Sequence, residues 1–502
     1  MGQFMTPAPV ARFMASLFQS TSGDIRLLDP GAGVGSLTAA FVDRVLRSSS
    51  PPQAIHVHAY ELEETMLPSL SASLAQCAEQ SARFGVAFHS SLSVEDFILA
   101  GVELLAQEPS LFGAPVQRYT HCIMNPPYRK IQSTSVWRTR LQRIGIETSN
   151  LYTSFLAVAV KLLEPGGELV AIVPRSFCNG VYFRPFREFF LREMSLKHLH
   201  VFGSRESVFQ ENEVLQENII LYAVKGAARD AVEITSSFDP SLEDLTYRQA
   251  AYHEVVDPSD RDKVISIATD ELGQMVVDRL RAFDHSLEDL GLSVSTGPVV
   301  DFRLRQDLRK EAEPGAVPLI YPSHFAGHRV VWPKLGGRKP NAIVESKQSE
   351  PWLMPNGWYV LTRRFSSKEE RRRIVAAIFD PTHIPASRVG FENHLNVFHQ
   401  SGRGLDPALA TGLAVFLNST LVDLYFRQFS GHTQVNVADL KALYYPDRET
   451  LIRLGQSVKV GFPSQQEIDA LILTEIQAMS PNYRTSDPVQ MQQRVQEARS
   501  RP

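Results

Sequence analysis

Ile25-Arg26-Leu27-Leu28-Asp29-Pro30-Gly31-Ala32-Gly33-Val34-Gly35-Ser36 is a short apolar run that ends on an acid and opens into a glycine-rich turn. Ile25 to Leu28 reads as a buried strand, and an amphipathic helix is expected from about Leu37 to Leu46. Strand, glycine turn and helix in that order make a nucleotide-binding unit. Gly31 and Gly33 let the backbone approach a ligand, and Gly35 lets the helix pack near the strand. The spacing departs from the G-x-G-x-x-G dinucleotide fingerprint, and the acid Asp29, one residue ahead of the glycines, disfavours a phosphate. A cofactor with a cationic centre and an amino-acid portion suits such a turn better. A plain tight turn is the structural alternative, and the strands that follow reduce its weight.

The next strand, Ile55 to Tyr60, ends at Glu61, which is placed to accept hydrogen bonds from both hydroxyls of a ribose. A third unit, Val86 to Phe88, is followed by Asp96-Phe97. Asp96 is expected to accept from an adenine amino group and Phe97 to pack on that ring, with a helix or turn cap as the alternative role for Asp96. Tyr119 to Met124 reads as a buried strand that opens into Asn125-Pro126-Pro127-Tyr128. An exocyclic amino group on an aromatic base is a poor nucleophile, because its lone pair is delocalised into the ring. Two acceptors, the Asn125 side-chain oxygen and the Pro126 carbonyl, would bind its N–H groups and pull the nitrogen toward tetrahedral geometry. Pro127 has no N–H to compete and a fixed φ, so the turn is rigid. Tyr128 is suited to stack on a base held outside its helix. Asn-Pro is also a common turn dipeptide, which is the bland reading.

Upstream, Thr6-Pro7 looks like an N-cap and first-turn proline ahead of a helix from Val10 to Phe18. Downstream, Arg129 to Ser149 reads as a flexible, polar loop that contacts phosphates, or as a solvated helix face, beside the site. Helix Leu151 to Leu163 is expected to stop at Gly166-Gly167, ahead of strand Glu168 to Val173. A helix from Phe183 to Met194 and strands at Leu199 to Phe202 and Asn218 to Val224 complete a doubly wound, mostly parallel α/β domain. Its ligand belongs at the carboxyl ends of the strands, where Asp29, Glu61, Asp96 and Asn125 all fall.

The 502 residues are too many for one core. Helix alternation disappears from Ser293, and a basic, aromatic-rich region suited to phosphate and base contacts follows, including Arg303, Arg338, Arg363 and Arg364 with Trp332, Trp352, Trp358 and Tyr359. An ordinary charged surface is its alternative. Ala408 to Phe426 reads as one apolar helix. The expected parts are 1–255 catalytic, 256–285 a helical linker, 286–450 a mixed α+β recognition domain, and 451–502 a helical or polar extension. With a net charge of -4, a nucleic-acid binder must concentrate its positive charge in a cleft. Cys77, Cys122 and Cys178 are far apart and lie in or beside apolar runs, so core thiols in a reducing cytoplasm are expected and no metal site is. No signal peptide is apparent, and no apolar stretch is long enough to span a bilayer, so a cytoplasmic protein is expected.

With these motifs in order, the chain resembles the gamma-class adenine-specific, amino-methylating DNA methyltransferases of type II restriction-modification systems, which include TaqI methyltransferase. The shared order is the Phe4-Met5-Thr6-Pro7 start, the Asp29 to Gly35 turn, Asn125 to Tyr128, and a C-terminal recognition domain. Within that class it is most similar to the PstI and BsuBI modification enzymes. The stretches that carry this are Thr296 to Arg303, Arg364 to Glu370, Phe391-Glu392-Asn393-His394 and Ser430 to Asn436. One departure is the short lead before Phe4, which is expected to leave one end of the cofactor more exposed.

The resemblance implies a Rossmann-like class I methyltransferase domain, S-adenosyl-L-methionine as cofactor and double-stranded DNA as partner. Thr6, Asp29, Pro30, Gly31, Gly33 and Gly35 would bind the methionine part, Glu61 the ribose, and Asp96 with Phe97 the adenine. Asn125 and Pro126 would hold the target amino group. Tyr128 would stack on the flipped base and Phe209 would contact its other face. The implied protein is a monomer, and a separate restriction endonuclease shares its target site. Methylation of RNA or of a protein glutamine, and a non-catalytic DNA-binding defence subunit, are the alternatives.

Overall fold

The computed structural model describes residues 6–106, 118–132, 134–203, 218–366, 370–429, 434–459 and 461–479. The chain forms two units, divided between Asp270 and Glu271.

The first unit is built on nine strands: β1 (Asp24–Pro30), β2 (Ala54–Tyr60), β3 (Ala87–Ser93), β4 (Tyr119–Met124), β5 (Leu163–Pro174), β6 (Met194–Phe202), β7 (Asn218–Lys225), β8 (Ala231–Ser237) and β9 (Thr246–Ala251). Their order is β3-β2-β1-β4-β5-β7-β6-β8-β9. The pairs from β3 to β5 are parallel, and β7 runs antiparallel between β5 and β6. That order, with one reversed strand, is the class I methyltransferase sheet, here extended by β8 and β9. Alternation along each inner strand feeds two cores. Ile25 and Leu27 of β1 face one core and Leu28 the other, and Val170 and Ile172 of β5 oppose Leu169, Ala171 and Val173.

Helices cover both faces. α1 (Ala8–Ser16), α2 (Ser36–Leu46) and α3 (Leu67–Arg83) bury Met14, Phe41 and Leu70 in the first core. α4 (Phe97–Ala106), α5 (Val136–Arg143), α6 (Leu151–Leu162) and α7 (Arg184–Glu193) bury Ile98, Leu141, Leu156 and Phe190 in the second. A short α8 (Tyr252–Val255) follows β9. Leu156 is fully buried; truncating such a side chain to alanine costs about 2–5 kcal/mol. α6 is not stopped by the glycine pair. Its cap, Leu163, is already extended (φ -70°, ψ 145°) and begins β5, and residues 164–167 bulge out where the pairing slips between Tyr119–Leu163 and His121–Glu168.

In the second unit α9 (Glu271–Arg281) precedes two sheets made from β10 (Ser293–Thr296), β11 (Leu308–Arg309), β12 (Ala316–Ile320), β13 (Phe325–Ala326), β14 (Arg329–Val330), β15 (Ala342–Val344), β16 (Met354–Pro355), β17 (Tyr359–Arg363), β18 (Ala376–Phe379), β19 (Arg388–Phe391) and β20 (Leu395–His399). One is ordered β10-β20-β17-β18-β14-β13 and the other β11-β15-β12-β19-β16. α10 (Pro407–Leu417), α11 (Thr420–Phe429), α12 (Val437–Lys441), α13 (Arg448–Ser457) and α14 (Gln465–Met479) follow. α10 and α13 cross with backbones almost touching: a Cβ on Gly412 would meet Leu451 O at 1.7 Å, and one on Gly455 would meet Ala408 O at 1.8 Å.

The single helix expected from Ala408 to Phe426 is α10 and α11, bent by 56°. The fully buried Asn418 at the break binds the backbone of Ala376 from both sides, accepting from its N–H at 3.1 Å and donating to its carbonyl at 3.0 Å. No single described helix is long and apolar enough to cross a membrane. The apolar side chains of the bent pair, Leu413, Phe416, Val422 and Phe426 among them, fill the second unit's core. The stretch expected as a linker is shared between the cores. Val256, Ile265 and Ile267 lie in the first unit, whereas Val276, Val277 and Leu280 of α9 lie in the second. Leu451, Leu454, Ile472 and Ile476, from the stretch expected as an extension, are also core residues of the second unit. An amphipathic helix gains most of its stability by burying its apolar face, and these faces are buried.

Candidate active site

The carboxyl ends of β1, β2 and β4 and the start of α4 surround a cavity of about 570 Å³. The glycine turn is pinned to the end of β2, because the N–H groups of Gly31 and Ala32 both reach Tyr60 O at 2.8 Å. Gly33, at φ +58°, donates its N–H to Glu61 Oε2 at 2.8 Å. The other oxygen, Oε1, takes the Glu63 N–H at 2.8 Å. Glu61 therefore ties the turn down while it lines the cavity. Gly35 packs against α3 and not against the strand. At φ +86°, its Cβ would meet Ser73 Cβ at 3.0 Å and Leu70 Cδ1 at 3.1 Å.

Thr6, Gly31, Gly33, Glu61, Asp96, Phe97 and Asn125 to Tyr128 all line the cavity, as the strand-end pattern anticipates. Asp29, Pro30 and Gly35 lie outside that lining. Asp29 points beneath the turn, is fully buried, and accepts from Thr38 Oγ1 at 2.6 Å. Its Oδ1 has no hydrogen-bond partner among the described residues. Burial pushes the Asp29 carboxyl up to about 7, against the Thr38 hydrogen bond and with the nearby Glu61 charge adding to the rise.

Asp96 caps α4, accepting the Leu99 N–H at 3.0 Å, and its second oxygen accepts the Trp137 indole N–H at 2.8 Å. It is thus a cap and a cavity residue at once. Phe97 is 2% exposed and lies between the rings of Tyr60 and Phe155, with centroids at 5.1 and 5.2 Å. Trp137 is a cavity residue that the sequence pattern missed. Its stretch looks like a polar loop or solvated helix face in sequence, yet α5 buries Leu141, and Ile131 and Ile146 beside it are buried too. A lone Trp amid arginines was the available signal.

At the end of β4, the Asn125 amide sits between two partners. Its Nδ2 donates to Thr6 Oγ1 at 3.1 Å, and its Oδ1 accepts from the Tyr128 hydroxyl at 3.0 Å. Thr6 is not a helix cap: Pro7 holds that position, without a side-chain bond. The same hydroxyl lies 3.1 Å from Ile172 O, so its one proton is shared between that carbonyl and Asn125 Oδ1, and burial pushes the phenol far above its ordinary range, so it stays protonated. The Tyr128 ring meets Tyr152 edge-on at 80° and is only partly buried. Among the described residues the Pro126 carbonyl receives no backbone N–H. Cys77, Cys122 and Cys178 are buried, none lines the cavity, and burial raises each thiol, Cys77 to about 11. Phe209 lies outside the described residues. In the second unit Arg303 and Arg338 are exposed, Arg363 lies over the Phe325 ring at 5.6 Å, and Arg364 donates to Asn393 O at 3.2 Å.

Comparison with known proteins gives the family. The Eco57I restriction-modification methylase family matches residues 99–209. The chain is 44% identical over 473 residues to the type II methyltransferase M.BsuBI of Bacillus subtilis, covering 94% of this chain and 93% of that one. The chain belongs to the type II methyltransferases. To M.PstI of Providencia stuartii the methyltransferase is 45% identical over 480 residues, covering 95% and 93%. A solved type IIL restriction-modification enzyme, MmeI in complex with DNA, matches its fold at a TM-score of 0.54 and 11% identity, covering 94% of this chain and 72% of that one.

The methyl donor is S-adenosylmethionine. The residues present fit it. The cavity combines the carboxylates of Glu61 and Asp96 with the apolar walls of Leu37, Phe97 and Phe155.

Proposed function

We propose that this DNA methyltransferase methylates the exocyclic amino nitrogen of an adenine flipped out of a specific duplex site. The observation that carries the reading is the Asn125 amide, held between Thr6 and Tyr128 on the cavity wall, beside the carbonyl of a rigid Pro126-Pro127 turn. Asn125 Oδ1 and the Pro126 carbonyl accept the two amino hydrogens and aim the nitrogen lone pair into the cavity. Tyr128 stacks on the extruded base, and Phe209 is assigned its other face. Glu61 binds the ribose, Asp96 and Phe97 the cofactor's adenine, and Thr6 with Gly31 and Gly33 its methionine part. When bound, the cofactor supplies a sulfonium methyl carbon open to in-line displacement. The side chains supply orientation, which contributes about 7–11 kcal/mol in well-aligned reactions. Cytosine ring-carbon methylation needs a thiolate nucleophile, and no buried thiol here lines the cavity.

We assign catalysis to the first unit and sequence choice to the second, with Arg303, Arg338, Arg363 and Arg364 as DNA contacts. We assign the chain a cytoplasmic, monomeric role in which it protects the site of a separate restriction endonuclease. Incubation with a tritiated methyl donor and unmethylated DNA, RNA or protein tests the substrate class, and nucleoside mass spectrometry tests the base. Label appearing as N6-methyladenine in duplex DNA is expected. Label in RNA or glutamine, or in no acceptor, refutes the reading. Exchange of Ser293 to Pro446 with that of a relative of different specificity tests the division of labour: methylation at the original site refutes it.

A further inference from the structure

Gly297, Val299, Arg364 and Val435, from motif stretches of the second unit that catalysis does not use, are far apart in the chain, yet the fold brings them to one surface tip between β19 and β20. Val299 N–H donates to Phe391 O at 2.9 Å, and Asn393 N–H returns to Val299 O at 2.9 Å. Gly297 lies so close that a Cβ there would meet Glu392 O at 2.2 Å. Arg364 N–H donates to His394 O at 2.9 Å, and Val435 N–H donates to Arg364 O at 2.7 Å.

At the tip a buried acid holds an exposed ring. Glu392 is fully buried, whereas the His394 side chain is 47% exposed. One Glu392 oxygen takes His394 Nδ1–H, and the other takes the His394 backbone N–H at 3.0 Å. Burying a carboxylate is costly unless its oxygens are satisfied, and here both are used to fix one surface imidazole. Nδ1 is committed inward, so Nε2 faces outward. Phe365, 46% exposed, lies beside the ring with centroids 5.0 Å apart, and the Arg364 guanidinium lies over Phe365 at 6.0 Å.

We propose that this tip reads a base pair of the target duplex, with His394 Nε2 contacting a base edge, Phe365 supplying apolar contact beside it, and Glu392 as the positioning residue that sets the ring. Base edges carry the sequence, whereas phosphate contacts position a protein without reading it, and a ring held in one orientation suits the first. The proposal rests on the duplex-DNA reading above and deepens it by naming a specificity contact.

The test selects bound duplexes from a randomised library with the full-length protein, so it does not depend on methyl transfer. His394→Ala is expected to lose discrimination at one base-pair position by roughly 5- to 150-fold. Glu392→Gln is expected to relax the same position in part, because its amide has one acceptor oxygen for the two His394 N–H groups and holds the ring less firmly. The slope of log affinity against log salt is expected to stay as in the wild type for His394→Ala. Unchanged preference in His394→Ala overturns the proposal. So does a loss equal for all sequences with a slope lower by about one, the mark of a phosphate contact. Should Glu392→Gln fail to fold, His394→Ala and His394→Gln still decide. A wild-type protein that selects no sequence at all refutes the site-specific reading itself and is thereby distinguished from failure of this tip alone.

Discussion

Replacing Glu61 with alanine separates two roles that the structure gives one carboxylate. Glu61 is 5% exposed and accepts two backbone N–H groups, from Gly33 and from Glu63, both at 2.8 Å. Hydrogen bonds to a charged group contribute about 1.5–3 kcal/mol each. The freed N–H groups border an open cavity and can rehydrate, so the stability loss in Glu61→Ala should fall below the sum of the two bonds, at about 1–3 kcal/mol. For a unit of this size each kcal/mol moves the unfolding midpoint by about 2–4 °C, so calorimetry should show a drop of about 2–12 °C. Loss of the ribose acceptor should weaken S-adenosylmethionine binding by about 1.5–3 kcal/mol, or roughly 10- to 150-fold in Kd. Titration calorimetry reads this directly, on protein shown to be folded at the assay temperature. A lowered midpoint with unchanged Kd would mean that Glu61 only tethers the turn. An unchanged midpoint would refute the tether, and both unchanged would refute the account of this residue. Glu61→Gln should fall between, because its amide can accept only one of the two N–H groups.

Asn125→Ala should lower methyl transfer by about 10²–10³-fold and leave cofactor Kd within about twofold of wild type; transfer at half the wild-type rate or better would exclude Asn125 as an acceptor. Tyr128→Phe keeps the ring but removes the hydroxyl that holds Asn125, and should lower kcat by about 2- to 13-fold, the worth of one hydrogen bond; an equal fall from Tyr128→Ala would show that stacking contributes nothing. The Asp29 carboxyl, raised from 3.8 to about 7 in the folded protein, should make stability fall as pH rises. Below about pH 4 both folded and unfolded states hold the proton. Between about 4 and 7 the unfolded state loses it first and folding weakens by at most about 4 kcal/mol, and above 7 the slope ends. Urea unfolding of wild type and Asp29→Asn across this range should give curves whose difference changes with pH in that window, and parallel curves would refute the burial argument.

Much of the site was legible because its signals are local. A polar residue that closes a strand or follows it within a few positions stays at that end whatever the strand packs against, so the pattern places Glu61, Asp96 and Asn125 at the strand ends, and all three line the cavity. Side-chain direction was not legible. Asp29 ends its strand just as Glu61 does, but it turns under the glycines to Thr38, whereas Glu61 turns toward them. Trp137 was hidden in an arginine-rich stretch whose burial depends on a distant partner, Asp96. The break at Asn418 was hidden in an apolar run, because the group that stabilises it is the backbone of Ala376.

From the sequence alone follow the alternating strands and helices, the glycine turn, the Asn-Pro-Pro-Tyr end of β4 and the switch of composition after Ser293. Each depends on residues a few positions apart, where periodicity and backbone restriction act. Contacts between distant residues needed the folded chain. Thr6 meets Asn125 across a separation of 119 residues. Arg364, His394 and Val435 share one tip, and helices α9, α13 and α14 enter one core with α10 and α11. Such pairings are set by which apolar faces bury together and which buried polar groups must find partners, and neither requirement leaves a mark at fixed spacing along the chain.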